Sequence, residues 1–166
     1  MAASALFTFG YEGLDIEAFV ARLLEYQVGT VFDVRELPLS RKKGFSKASF
    51  RTALVDAGIE YEHVPALGCP RPIRDRYRRD GDWKAYTRAF TAYLDTQSTA
   101  LGALAARSRR TRACLVCFEA DFTMCHRSYV ARAAHEVGAP IVKHLTVRTV
   151  TADRPDRSVA SADTRR

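Results

Sequence analysis

Short apolar runs alternate with helix-length amphipathic segments along almost the whole chain, and this alternation limits the fold more than any other feature. Residues 6–9, 30–34, 59–64, 113–118 and 141–145 have the length and the β-branched or aromatic content of strands. Between them, apolar residues recur at spacings of three and four. Ile16, Phe19, Val20, Leu23 and Leu24 share one face of a predicted helix over residues 16–26, with Asp15 placed to cap it. Ser46 precedes a second helix that runs to residue 56 and stops at Gly58. Trp83, Tyr86, Phe90, Tyr93 and Leu94 predict one long helix over residues 83–107, and residues 124–136 form another, closed by Gly138. Residues 35–45 read as a long loop, and residues 66–82 as an irregular Arg-rich excursion punctuated by Pro and Gly.

Strands joined by crossovers of this length form a parallel sheet, because a parallel connection needs a dozen or more residues. The expected fold is α/β. It is a single domain over residues 1–148, with a mainly parallel five-stranded sheet and helices on both faces, in the three-layer Rossmann-like or flavodoxin-like manner. Beyond it the composition turns polar, so residues 149–166 are expected to be a flexible C-terminal tail. No apolar run approaches the roughly 20 residues of a membrane span, and residues 1–9 lack the basic start of a secretory signal. A cytoplasmic protein without membrane contact is expected. The four cysteines are too few and too bunched for a disulfide scaffold.

The formal net charge of +7 is unevenly spread. Residues 1–65 carry 7 basic and 9 acidic side chains, whereas residues 66–112 carry 11 and 4. The excess therefore sits in the middle third, around Arg71, Arg74, Arg76, Arg78, Arg79 and residues 107–112. Only 5 of the 26 basic residues are Lys. A surface for an anionic partner and a general compositional bias toward Arg both account for this pattern.

Ligands of open α/β sheets bind beyond the carboxyl ends of the strands, so the residues that follow each strand are the candidate site. Gly10 and Tyr11 follow the first strand, Arg35 and Glu36 the second, and His63 the third. Cys117 and Glu119 follow the fourth, with Cys125, His126 and Arg127 opening the next helix. Arg35 and Arg127, facing a helix N-terminus, would make a phosphate or carboxylate pocket that Arg41, Lys42 and Lys43 extend. Arg35 has an alternative as a structural bridge to Asp33 or Glu119. Cys125 in a first helical turn beside His126 and Arg127 has the surroundings of a reactive thiol. Cys117 reads as a core residue or as a redox partner of Cys125, and Cys114 as a small hydrophobe.

Several constellations are excluded. A phosphatase or sulfurtransferase loop places Arg six residues after a strand-ending Cys, and that position is Thr123. Cys114 and Cys117 have C-x-x-C spacing but point to opposite faces of a strand, so no metal site is expected from them. Phosphate-binding G-x-x-x-x-G-K-[ST] and G-x-G-x-x-G loops are absent, and no cofactor is expected.

The segments Thr8-Phe9-Gly10-Tyr11, Phe32-Asp33-Val34-Arg35 with Pro38 and Ser40, residues 61–68, and above all Cys117-Phe118-Glu119 with Cys125-His126-Arg127-Ser128 resemble the domain of unknown function family 488 (DUF 488). The resemblance runs from about residue 6 to about residue 145 and implies a small bacterial or archaeal α/β domain. It carries no reaction with it.

The site residues lead to an enzyme acting on a phosphate-bearing nucleotide or nucleic acid. Gly10, Tyr11, Arg35, Arg41, His63 and Arg127 are expected to bind the anion, and Glu119, Cys125 and His126 to carry the chemistry. The alternatives are a non-catalytic nucleic-acid-binding module that uses residues 66–112, or a redox protein that uses Cys117 and Cys125.

Overall fold

A computed structural model describes residues 5–154. Its strands are β1 (Leu6–Gly10), β2 (Thr30–Asp33), β3 (Glu60–His63), β4 (Ala113–Cys117), β5 (Val142–Leu145) and β6 (Val150–Ala152). They form one sheet in the order β3-β2-β4-β1-β5-β6, parallel throughout except for β6. The helices are α1 (Ile16–Glu25), α2 (Lys47–Asp56), α3 (Arg71–Asp80), α4 (Trp83–Asp95), α5 (Ser98–Ser108) and α6 (His126–Glu136). No helix among the described residues is long and apolar enough to cross a membrane.

The connection rule for parallel strands explains the layers. Going from β1 to β2 to β3 the chain moves one way along the sheet, and from β3 to β4 to β5 it moves the other way. Right-handed crossovers then put α1 and α2 on one face and α3 to α6 on the opposite face. Alternating side chains serve the two cores. Phe7, Phe9, Val31, Cys114 and Val116 meet Phe19, Leu23, Phe50 and Leu54 on the first face. Leu6, Phe32, Ala113 and Leu115 meet Tyr86, Phe90, Leu104 and Val130 on the second. Neighbouring β1 and β4 send their connections to opposite faces, and a crevice opens at such a switch point. The strand order differs from both common doubly wound orders, because β4 lies between β2 and β1.

Four expectations are corrected. The sheet has six strands, because residues 150–152, assigned to a tail on composition, pair antiparallel with β5. Residues 155–166 of that tail lie outside the described residues. The excursion at residues 66–82 contains α3, with Pro72 in its first turn and Gly81 at φ 63° ending it. The long helix is two, α4 and α5, broken at Thr96 and Gln97. There Thr96 Oγ1 donates to the Tyr93 carbonyl, and polar residues compete with the backbone for hydrogen bonds. Finally, α6 begins at His126, behind a 3-10 turn at Phe122–Met124.

The edge strand β6 is tied down just past its end by Asp153, which accepts hydrogen bonds from Arg132 and from buried His144 Nε2 at 2.9 Å. Burial alone would raise the Asp153 carboxyl, but His144 and Arg132 outweigh it and hold it at about 2. A carboxyl held below its unfolded value of about 3.9 adds stability above that pH and loses it on acidification. Asp153→Asn should therefore lower the urea midpoint at neutral pH, and the gap from the parent protein should close between about pH 4 and pH 2. A gap independent of pH would exclude the ionised carboxylate as its source.

Candidate functional site

The carboxyl edge is assembled by close backbone approaches. Gly10 pairs with Cys117, and a methyl group on Gly10 would stand 1.7 Å from the Glu119 carbonyl oxygen, so only glycine lets the loop after β4 fold down over β1. Tyr11 N–H donates to the Cys117 carbonyl and Glu12 N–H to that of Phe118, which extends the contact beyond the strands. Gly68 has a similar role, since a side chain there would meet the Glu36 backbone at 2.3 Å.

Arg35 is committed to the protein. Its guanidinium makes a two-point contact with Asp33 at 2.8 and 2.7 Å, and donates to Tyr11 Oη and to the Phe45 carbonyl. Tyr61 Oη donates to the same fully buried Asp33 at 2.6 Å. Burial opposes the charge on Arg35, but Asp33 and Tyr11 outweigh it and raise the group further. The structural-bridge alternative thus describes Arg35, with Asp33 as the partner. His63 does not line the cleft; its Nε2 lies 2.7 Å from the Arg35 carbonyl and fixes the exit of β2. His126 Nε2 does the same 2.7 Å from the Val34 carbonyl.

Arg127 was expected to face a ligand and instead points inward, fully buried. The first turn of α6 follows the central strand and rests on the sheet, so His126, Arg127 and Ser128 are all covered. Arg127 Nη1 donates to Cys117 Sγ at 3.1 Å and to the Glu119 carbonyl, and Nη2 donates to the Ala120 carbonyl at 3.4 Å. Its Nε has no hydrogen-bond partner among the described residues.

Four side chains converge above this clamp. Donor atoms of Cys117, Glu119, Cys125 and His126 all lie within 4.8 Å of one another. Glu119 Oε2 accepts from Cys117 Sγ and from Cys125 Sγ, each at 3.3 Å, and Cys125 Sγ lies 3.8 Å from His126 Nδ1. A carbonyl only accepts, so His126 Nε2 carries a proton toward Val34, and Nδ1 is the ring nitrogen that faces Cys125. Burial alone would raise the Glu119 carboxyl; a backbone hydrogen bond, His126 and the two thiols outweigh it and hold it below the usual range. Burial pushes the Cys117 thiol well up, against the pull of Arg127. All four cysteines are free thiols, and Cys114 sits in the opposite core, raised by the same burial.

The quartet forms the floor of a cleft of about 710 Å³. Tyr11, Arg35 and Arg41 line the cleft too, with Arg74 and Arg78 of α3 on its far wall. Trp83 and Tyr86 stack at 4.6 Å on that wall, and Tyr77 stands 5.3 Å from Tyr86. Sequence reasoning missed this wall because α3 was read as irregular; the signal available was Pro72, Gly81 and ion pairs at helical spacing, Arg71–Asp75 and Arg76–Asp80.

An α/β domain with a cleft of mixed charged, aromatic and aliphatic lining at the switch between β1 and β4 is what the fold and site define. The chain belongs to the family described as domain of unknown function DUF488, whose model matches residues 15–134 and so spans α1 through most of α6. Comparison with curated proteins and with solved structures finds no match.

Gly10→Ala should cost about 1–3 kcal/mol in unfolding free energy, the usual range for forcing atoms into filled space. Gly102→Ala, in α5 with nothing within 4 Å of the added methyl, should be neutral or stabilising by up to about 1 kcal/mol. Equal effects in chemical denaturation would show that the loop does not depend on Gly10.

Proposed function

We propose that this protein is an enzyme acting on a phosphate-bearing nucleotide or nucleic-acid substrate held in the strand-edge cleft. What carries the reading is one juxtaposition: exposed guanidiniums and an aromatic wall rim the same cleft whose floor holds a carboxylate, an imidazole and a thiol. Phosphate is gripped by Arg41, Arg74 and Arg78, and a base stacks against Trp83 and Tyr77. Arg35 and Arg127 act indirectly. Arg35 holds Tyr11 in the cleft wall, and Arg127 holds the loop that carries Glu119. Glu119, Cys125 and His126 carry the chemistry, with Glu119 as the half-buried carboxylate that meets the substrate. Gly10 and His63 set the backbone beneath. The proposed setting is the cytoplasm, where cysteines stay reduced.

A non-catalytic binder using the whole basic middle third is less favoured, because much of that charge is compensated locally. Arg71 and Arg78 pair with Asp75, Arg76 with Asp80, and Arg107 with Glu60 and Glu62. The redox reading needs a Cys117–Cys125 bond, and Glu119 Oε2 bridges those two sulfurs.

The test uses a fluorescent single-stranded oligonucleotide between about 50 and 200 mM salt. Replacing Arg41 and Arg78 by Ala should weaken binding about tenfold or more and reduce the salt slope by roughly 0.7 per lost phosphate contact. Glu119→Gln should leave that binding intact and remove turnover in a screen of nucleoside phosphates and oligonucleotides, the pattern of a lost transition-state interaction. Unchanged affinity in the double Arg variant would remove the cleft as the phosphate site.

A further inference from the structure

We propose that Cys117, Glu119, Cys125 and His126 form a binding site for one zinc-class divalent cation at the cleft floor. The C-x-x-C pair considered in the sequence is split between two faces of β4. The ligand set assembled by the fold instead comes from the end of β4, the loop after it, and the N-terminus of α6. This site is argued from its own geometry and stands whether or not the cleft takes a nucleotide.

Distances come first. Zinc binds sulfur at about 2.3 Å and nitrogen or oxygen at about 2.0–2.2 Å, so tetrahedral donors lie roughly 3.3–3.8 Å apart. Three of the six donor separations already fall there: 3.3 Å from each sulfur to Glu119 Oε2, and 3.8 Å from Cys125 Sγ to His126 Nδ1. All donors lie within 4.8 Å of one another, so closing the remaining edges takes side-chain shifts on the order of 1 Å.

The surroundings fit as well. A metal-bound histidine typically donates its other ring N–H to a carbonyl or carboxylate, which fixes the ring and leaves one lone pair for the ion. His126 is held this way by the Val34 carbonyl. Arg127, buried and without a carboxylate partner among the described residues, sets an N–H and a full positive charge against Cys117 Sγ. With an ion bound, two thiolates and the Glu119 carboxylate balance a dication and Arg127, and the buried assembly is neutral overall. In the metal-free protein both thiol protons are directed at Glu119 Oε2. On binding, the cation takes the two sulfurs, their protons leave to solvent, and no electron is transferred. Donors of this mixed sulfur and nitrogen type favour zinc and cobalt over magnesium or calcium.

The experiment titrates reduced, chelator-treated protein with cobalt and then zinc, without nucleotide. One cobalt per chain should bind, with thiolate-to-cobalt charge-transfer absorption and release of about two protons in weak buffer. Zinc should displace it and block iodoacetamide at Cys117 and Cys125, mapped by mass spectrometry, while leaving Cys69 labelling unchanged. Cys125→Ser and His126→Ala should each lose at least tenfold in affinity, and Cys114→Ser should bind as the parent does. Circular dichroism reports folding; should a ligand variant unfold, proton release and thiol protection in the parent protein decide the matter. Binding well below one ion per chain, a missing charge-transfer band, or unchanged cobalt affinity in both folded ligand variants would overturn the site. Because no nucleotide is present, failure of oligonucleotide binding leaves the cation site standing, and failure here leaves the Arg-rimmed cleft standing.

Discussion

A single buried guanidinium organises the carboxyl edge of this sheet. Arg127 has no exposed surface, and it reaches Cys117 Sγ and the carbonyls of Glu119 and Ala120. Burying a cation costs several kcal/mol unless hydrogen bonds and countercharge offset it, and removing one side of such an arrangement is far more damaging than building it is rewarding. The loop after β4 is consequently held in one conformation, with its backbone pressed onto Gly10 and its Glu119 side chain turned toward two thiols and an imidazole.

Sheet topology determines where that loop sits. β1 and β4 are neighbours whose connections leave toward opposite faces, and a cleft opens there beside the loop after β4, which folds onto Gly10. The remaining walls come from far along the chain: the exit of β2, fixed by His63 and His126 through the carbonyls of Arg35 and Val34, and α3 with the start of α4. Arg35 looks like a ligand-binding residue from its position, yet four of its five N–H donors go to Asp33, Tyr11 and Phe45. The other cations at the cleft rim are exposed Arg41, exposed Arg78, which also lies 3.7 Å from Asp75, and half-exposed Arg74, which also meets Glu36 at 3.4 Å.

Much of this was legible in the sequence. The alternation of apolar runs with helical periodicity identifies the α/β class and the first five strands; the strand-end rule collects Tyr11, Arg35, Cys117, Glu119, Cys125 and His126, which line one cleft with Arg41 of the neighbouring loop, and also Gly10, His63 and Arg127, which do not. What escaped has physical causes. β6 is an exposed polar edge strand with no apolar pattern to mark it, and it depends on Asp153 contacts with residues distant in sequence. α3 buries none of its residues fully, so its periodicity is muted by Arg. The inward turn of Arg127 follows from how α6 docks on the sheet, which a helix N-terminus read in isolation does not disclose. The four residues of the cleft floor were each singled out, but not as one ligand set, because their convergence depends on an eight-residue separation from Cys117 to Cys125 closed by the Gly10 contact and the Arg127 clamp, and no fixed ligand spacing encodes that closure.

In the proposed function, the cleft between β1 and β4 binds a phosphate-bearing ligand and presents it to Glu119. A crystal structure of the protein with a short single-stranded oligonucleotide tests this most directly. The account predicts a phosphate among Arg41, Arg74 and Arg78, a base against Trp83, and the scissile region above the Glu119 carboxylate. An oligonucleotide bound instead along the outer side of α3 or around Arg109 and Arg110, with the cleft untouched, would contradict it.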